Sequence, residues 1–160
     1  MSTSLISAVL VIMISSMVDS TNVRFQNNCP WTVDIYQTQD QIVAAKVTTI
    51  AAGGLSGSIA ITAGLSGRFT TITDEEATLF EYNLDSWSIS NRKFWYNLSI
   101  IPPGSLGCYS LSDCQDQTGK VGFNDKMKVT PDYWGIIDTN YYCRELTCEY
   151  DGCPDAYHYP

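Results

Sequence analysis

Basic residues are scarce in this chain: nine lysines and arginines face seventeen aspartates and glutamates, for a formal net charge of −8. A surface of that sign repels phosphate backbones and anionic headgroups, which excludes nucleic acid as a partner and electrostatic attack on membranes. Neutral polymers such as glycans remain open. His158 is the only histidine, and a serine or cysteine triad hung on it would depend on a residue between two tyrosines near the end of the sequence. No phosphate-cradling glycine loop, metal motif or dinucleotide fingerprint is present, so neither a cofactor nor a metal is expected. Heptads, long amphipathic helices and tandem repeats are also missing, which argues against a helical or repeat architecture. No stretch reaches the roughly 18 apolar residues needed to span a bilayer.

The longest apolar run extends from Leu5 to Ile14 and is followed by Val18 and Ser20, placed as a signal peptidase requires, although no lysine or arginine precedes it. Residues 1–20 are therefore expected to be a secretory signal, and residues 21–160 a single secreted, extracellular, monomeric domain. All six cysteines lie in the second part. An even set in a secreted chain reads as disulfides. Cys108 and Cys114 sit in a polar, glycine- and serine-rich stretch, 102–119, which reads as a surface loop tied by a local bridge. The rival, half of a zinc site, usually has pairs spaced by two to four residues and needs two further ligands. Cys148 and Cys153 also close easily on each other. Cys29 and Cys143 then remain as a long-range pair, whose loop closure would contribute about 4 to 5 kcal/mol in the simple entropic model.

Short runs of β-branched and aromatic residues alternate with Gly, Ser, Asn, Asp and Pro. Eight candidate strands result: "NVRFQN", "WTVDIYQ", "QIVAAKV", "SGSIAITA", "GRFTTIT", "TLFEYNL", "KFWYNLSII" and "KVGFNDKMKV". That number at that spacing predicts an all-β, antiparallel sandwich. Period-two alternation places Val33, Ile35 and Gln37 on one face of their strand, and Thr32, Asp34 and Tyr36 on the other. By the same rule Trp95, Asn97 and Ser99 oppose Phe94, Tyr96, Leu98 and Ile100, which makes Trp95 the exposed ring.

Several of these stretches stand in an order that resembles the thaumatin-like family, also called osmotin-like or pathogenesis-related proteins. "VRFQNNCPWTVDIY" is similar to the family's opening strands and first cysteine, "GLSGRFTTIT" to its glycine-arginine strand, and "TLFEYNL" to its threonine-leucine-x-glutamate-aromatic-x-leucine segment. "FWYNLSII" resembles its tyrosine-aspartate-x-serine strand, "VGFNDKMKVTP" its glycine-phenylalanine-asparagine segment, and "CPDAYHYP" its cysteine-proline-aspartate-alanine-tyrosine motif. The resemblance implies a thaumatin-like sandwich in the family's small form, because only "EYDG" separates Cys148 from Cys153 where larger members carry a cysteine-rich domain. In the family more chain follows the last motif and supplies partners for the cysteines matching Cys29 and Cys143. Here the two either pair with each other or lack mates because the sequence is truncated.

The resemblance also implies a cleft that binds β-1,3-glucan and in some members weakly cleaves it. Glu81 matches the family's glutamate. Its other three groups are replaced, by Asn97, Val121 and, for the arginine, Ile72. Glycoside hydrolysis normally needs two carboxyl groups, about 5 to 5.5 Å apart for retention or about 6.5 to 9.5 Å for inversion. Glu81 lacks its expected partner, and Asp85 or the run Asp74, Glu75, Glu76 are the substitutes at hand, the run reading as solvated turn charges. Trp87 and Trp95 are the aromatic platforms for a sugar ring. Asn97, Leu98 and Ser99 form a glycosylation sequon. The expected function is glycan binding by Glu81, Trp87, Trp95 and Asn97, in defence or host interaction, with little or no hydrolysis. The alternatives are a weak endo-β-1,3-glucanase built on Glu81 or Asp85, and a secreted protein-binding inhibitor or effector that uses the 102–119 loop.

Overall fold

The computed structural model of the chain describes residues 20–40, 43–85, 94–131 and 144–160. The expected signal, Trp87 and Cys143 lie outside them, apart from Ser20. Strands β1 (Ser20–Val23) and β4 (Ile59–Thr62) pair as an antiparallel ribbon. Strands β2 (Val33–Gln39), β3 (Ala45–Ile50), β5 (Ser66–Thr70), β6 (Leu79–Leu84), β7 (Phe94–Ser99) and β10 (Ala156–Tyr157) form a six-stranded sheet in the order β10-β7-β6-β5-β2-β3. A second ribbon joins β8 (Met127–Val129) to β9 (Leu146–Cys148), and one helix, α1, spans Leu111–Thr118. The chain is thus mostly β, as its pattern predicts. One pairing departs from the antiparallel expectation, since β10 runs parallel to β7.

Alternation along the strands builds the core. Phe69, Phe80, Tyr82, Leu84 and Leu98 are buried on the inner face of the large sheet, and Ile35 and Ile50 extend that layer across β2 and β3. Rings pack in a continuous series, with Phe25 edge-on to Phe69 at 5.0 Å, Phe69 stacked on Phe80 at 6.1 Å, and Phe94 stacked on Tyr96 at 5.9 Å. Ile61, Val23 and Ile59 of the first ribbon close over this face, and Leu146, Cys148, Met127 and Val129 of the second join it. Fully burying one such side chain contributes about 1.5 to 3 kcal/mol. The opposite face of the sheet keeps its polar residues.

Three local readings of the sequence are corrected. Strand β3 begins at Ala45, within the expected run, and continues to Ile50, which enters the core opposite Val33, while a register shift between Ile35 and Tyr36 resets the pairing of Lys46 and Ala45. A bulge of this kind moves the inward set by one residue, which composition does not reveal. The stretch 102–119 is not all loop, because α1 lies within it. Ser110 caps the helix by accepting the Asp113 amide at 3.1 Å, Asp113 accepts the Tyr109 amide at 2.9 Å, and Gly119 closes the helix in a left-handed conformation. That serine-x-x-aspartate pattern followed by a glycine was a helix signal. Finally, β9 and β10 form where no strand was expected, each too short to show a period.

Both short-range bridges, Cys108–Cys114 and Cys148–Cys153, are formed. Cys29 carries a free, half-buried thiol, and the Cys143 end of the expected long-range bridge lies outside the described residues. The turn at Cys29 is held by hydrogen bonds instead. Buried Asn27 donates to the carbonyls of Trp31, Ile50 and Ala51, while its own carbonyl accepts the Cys29 amide.

Candidate functional site

Register decides which side chains meet on the open face. Thr38 of β2 pairs with Arg68 of β5, Arg68 with Glu81 of β6, and Glu81 with Asn97 of β7, so four polar side chains form one row across the sheet. Side chains directly opposite in such a row have Cβ atoms about 5 Å apart. Trp95 lies two residues from Asn97 on the same face, opposite Asn83, with 61% of its surface exposed. Thr38, Arg68 and Glu81 of the row line an open depression of about 660 Å³ together with Asp40 and Ser66. Glu81, Asn97 and Trp95 are therefore brought together, as their sequence alternation requires.

Gly67 shapes the floor of this depression. A Cβ there would stand 2.4 Å from the Thr38 carbonyl oxygen and 2.6 Å from the Tyr82 hydroxyl, so only glycine admits both neighbours. The Tyr82 hydroxyl accepts a hydrogen bond from Gln37 Nε2 at 2.7 Å, and burial pushes its pKa up.

Burial also pushes the Glu81 carboxyl above the ordinary glutamate value, against the opposing pull of the Arg68 charge and of a hydrogen bond from Asn97. Asn97 spends its amide nitrogen on that bond. Its carbonyl oxygen, Oδ1, is buried with no hydrogen-bond partner. An acceptor left in that state costs about 1 to 3 kcal/mol. A glycan attached at the Asn97 sequon would compete with the Glu81 contact.

The other sequence candidates sit elsewhere. Asp85 follows the end of β6, four residues from Glu81, a distance of about 13 Å along extended chain. The acidic run is engaged locally: Asp74 accepts the Glu76 amide at 3.1 Å, Glu75 pairs with Lys120 at 3.8 Å, and Glu76 accepts the Val121 amide at 3.4 Å. Among the described residues, no group of three or more His, Cys, Asp or Glu side chains is placed to hold a metal.

Arg68 is the site residue that sequence reasoning missed. The second arginine of the resembled glycine-arginine strand falls at Ile72 here, and the cation beside Glu81 is instead Arg68 of that stretch, one residue before inward-facing Phe69. Parity with Phe69 was the available signal. Chemically, the Glu81 carboxylate flanked by a guanidinium and an amide offers acceptors and donors to hydroxyl groups, and Asp40 is the other carboxylate of the depression.

No protein-family model matches the chain, and neither does any curated protein or solved structure. Among the described residues no helix is long and apolar enough to cross a membrane.

Proposed function

We propose that this is a secreted thaumatin-like protein whose open sheet face binds a neutral cell-wall glycan of the β-1,3-glucan type without cleaving it. The observation that carries the reading is the row Arg68–Glu81–Asn97 beside exposed Trp95. An aromatic plane with a rim of donors and acceptors suits the apolar face and equatorial hydroxyls of a sugar ring. The order of the sequence motifs, the predominance of sheet and the two disulfides support the family reading. Hydrolysis is disfavoured because the side chains directly opposite Glu81 are an arginine and an amide, neither able to act as the second carboxyl group. Co-sedimentation with insoluble β-1,3-glucan tests the proposal: retention is expected, reduced by Trp95→Ala, with no reducing sugar released. A protein that stays in the supernatant refutes it. Sugar release abolished by Glu81→Gln would favour the weak glucanase.

A second reading, a protein-binding module, is favoured by one observation. Leu106 and Tyr109 are 87% and 85% exposed on the segment braced by Cys108–Cys114. An exposed tyrosine held out on a braced segment is a typical interface anchor, and an adjoining leucine adds apolar area around it. Alanine at both positions should then abolish capture of a partner while leaving glucan retention unchanged.

A further inference from the structure

A second depression, of about 400 Å³, opens at the start of β2 and includes Trp31, Asp34, Tyr36, Thr71, Thr73 and Asp125. It lies on the same face as the Glu81 row, because Asp34, Tyr36 and Thr38 share the outward parity of β2 while Ile35 points into the core. Trp31 is 60% exposed, and its backbone is fixed by the bond from buried Asn27. The two carboxylates are also held in place. Asp34 accepts from Thr49 and Lys46, and Asp125 accepts from Thr71 and Asn124. Each carboxylate can accept about four hydrogen bonds, so both retain capacity for ligand hydroxyls.

Spacing connects this depression to the Glu81 site. Asp34 and Glu81 are separated by four residues along the strands and two strand intervals across the sheet, a diagonal of about 16 Å. A single sugar ring cannot reach from one to the other, whereas a short oligosaccharide laid over Tyr36 and Thr38 can. We infer that the Trp31 depression is a remote sugar-binding subsite, so that the ligand is an internal stretch of a glucan chain rather than a chain end or disaccharide. The inference rests on the glycan-binding reading above and deepens it. Trp31 supplies the stacking plane, and Asp34, Asp125 and the two threonines accept from or donate to the ring hydroxyls.

The test compares Trp31→Ala, Trp31→Phe and Trp95→Ala by calorimetric titration with the β-1,3-linked glucose dimer and hexamer. Loss of one aromatic stacking plane should weaken hexamer binding by Trp31→Ala roughly fivefold to tenfold. The dimer affinity should not change, and Trp31→Phe should retain most of the hexamer affinity. Trp95→Ala should weaken both ligands. Unchanged hexamer affinity in Trp31→Ala, or equal losses for dimer and hexamer, overturns the subsite while leaving the Trp95 site standing. A wild-type protein that binds neither oligosaccharide overturns both readings. Because Trp31 is mostly exposed, the thermal midpoint of each variant should stay close to wild type, and a collapsed midpoint in Trp31→Ala shifts the decision to the Trp31→Phe and Asp125→Asn pair, where loss of length dependence in Asp125→Asn supports the subsite and its retention overturns it.

Discussion

Replacing Glu81 by glutamine separates what this side chain does for the fold from what it does for a ligand. In the wild type Asn97 donates to the carboxylate, and its Oδ1 is buried without a donor. Glutamine keeps an acceptor for Asn97 Nδ2 and adds an N–H that can reach Oδ1, completing an amide pair across β6 and β7. It also removes the cost of desolvating a charge. Recovering one unsatisfied acceptor should stabilise the domain by about 1 kcal/mol, the net value of a typical hydrogen bond. For a domain of this size that corresponds to about 3 °C in Tm. The sign with pH follows from the raised Glu81 pKa. As pH rises, the unfolded chain releases this proton before the folded one does, so the group's contribution to stability is greatest at acid pH. That contribution falls as the pH passes from the unfolded glutamate value to the raised folded one. At pH 3 the protonated carboxyl is itself a donor for Oδ1, and the variant should lose its advantage. Thermal melts followed by circular dichroism at pH 3 and pH 7 provide the assay. Equal midpoints at pH 7, or a difference that persists at pH 3, would refute the reasoning. The same substitution should lower glucan retention, because a charged acceptor is roughly twice as strong as a neutral one.

Other substitutions probe the site and its supports. Asn97→Asp places two carboxylates directly opposite each other and should lower Tm at pH 7 but not at pH 4, since like charges across a strand pair repel; equal losses at both pH values would point to packing instead. Gly67→Ala forces the Thr38 backbone and the Tyr82 ring apart and should cost about 1 to 3 kcal/mol by urea denaturation, with a matching loss of glucan retention. Removing the Cys108–Cys114 bridge by a double serine substitution should cost about 2 kcal/mol, as closure of a short loop implies, while leaving β-1,3-glucan co-sedimentation unchanged. Asp155 behaves oppositely to Glu81: its bond from Arg144 and the Thr147 amide hold its pKa below the ordinary aspartate value. That stability is present above the unfolded aspartate value and disappears as the pH falls through the folded one, so Asp155→Asn should lower Tm at pH 7 and leave it unchanged at pH 2.

Much of the sheet was legible because burial on one face imposes a period of two. Phe94, Tyr96 and Leu98 on one side and Trp95 and Asn97 on the other follow from alternation alone, and the same holds for Ile35 against Asp34 and Tyr36. Strands of two or three residues, such as Ala156–Tyr157 and Leu146–Cys148, are too short to carry a period, and they form because neighbouring strands offer them unpaired backbone. The helix at Leu111–Thr118 was written in its caps rather than in a hydrophobic stripe, since only Cys114 of its residues is buried. Of the candidate site, Glu81, Asn97 and Trp95 could be chosen by type and parity. Arg68 could not be assigned to them without knowing that β5 and β6 pair with these two residues opposite.

The sequence by itself determined the chemistry available: an acidic surface, few groups for acid–base work, locally closable cysteine pairs and strands with one apolar face. Those properties depend on residue type and on neighbours a few positions away. Tertiary structure decided which polar residues share a row. It set Arg68 beside Glu81, left Asn97 Oδ1 without a donor and put Trp31 on the same face as Trp95. Register between strands far apart in the chain fixes such neighbours, and register is set by how the inner faces pack together.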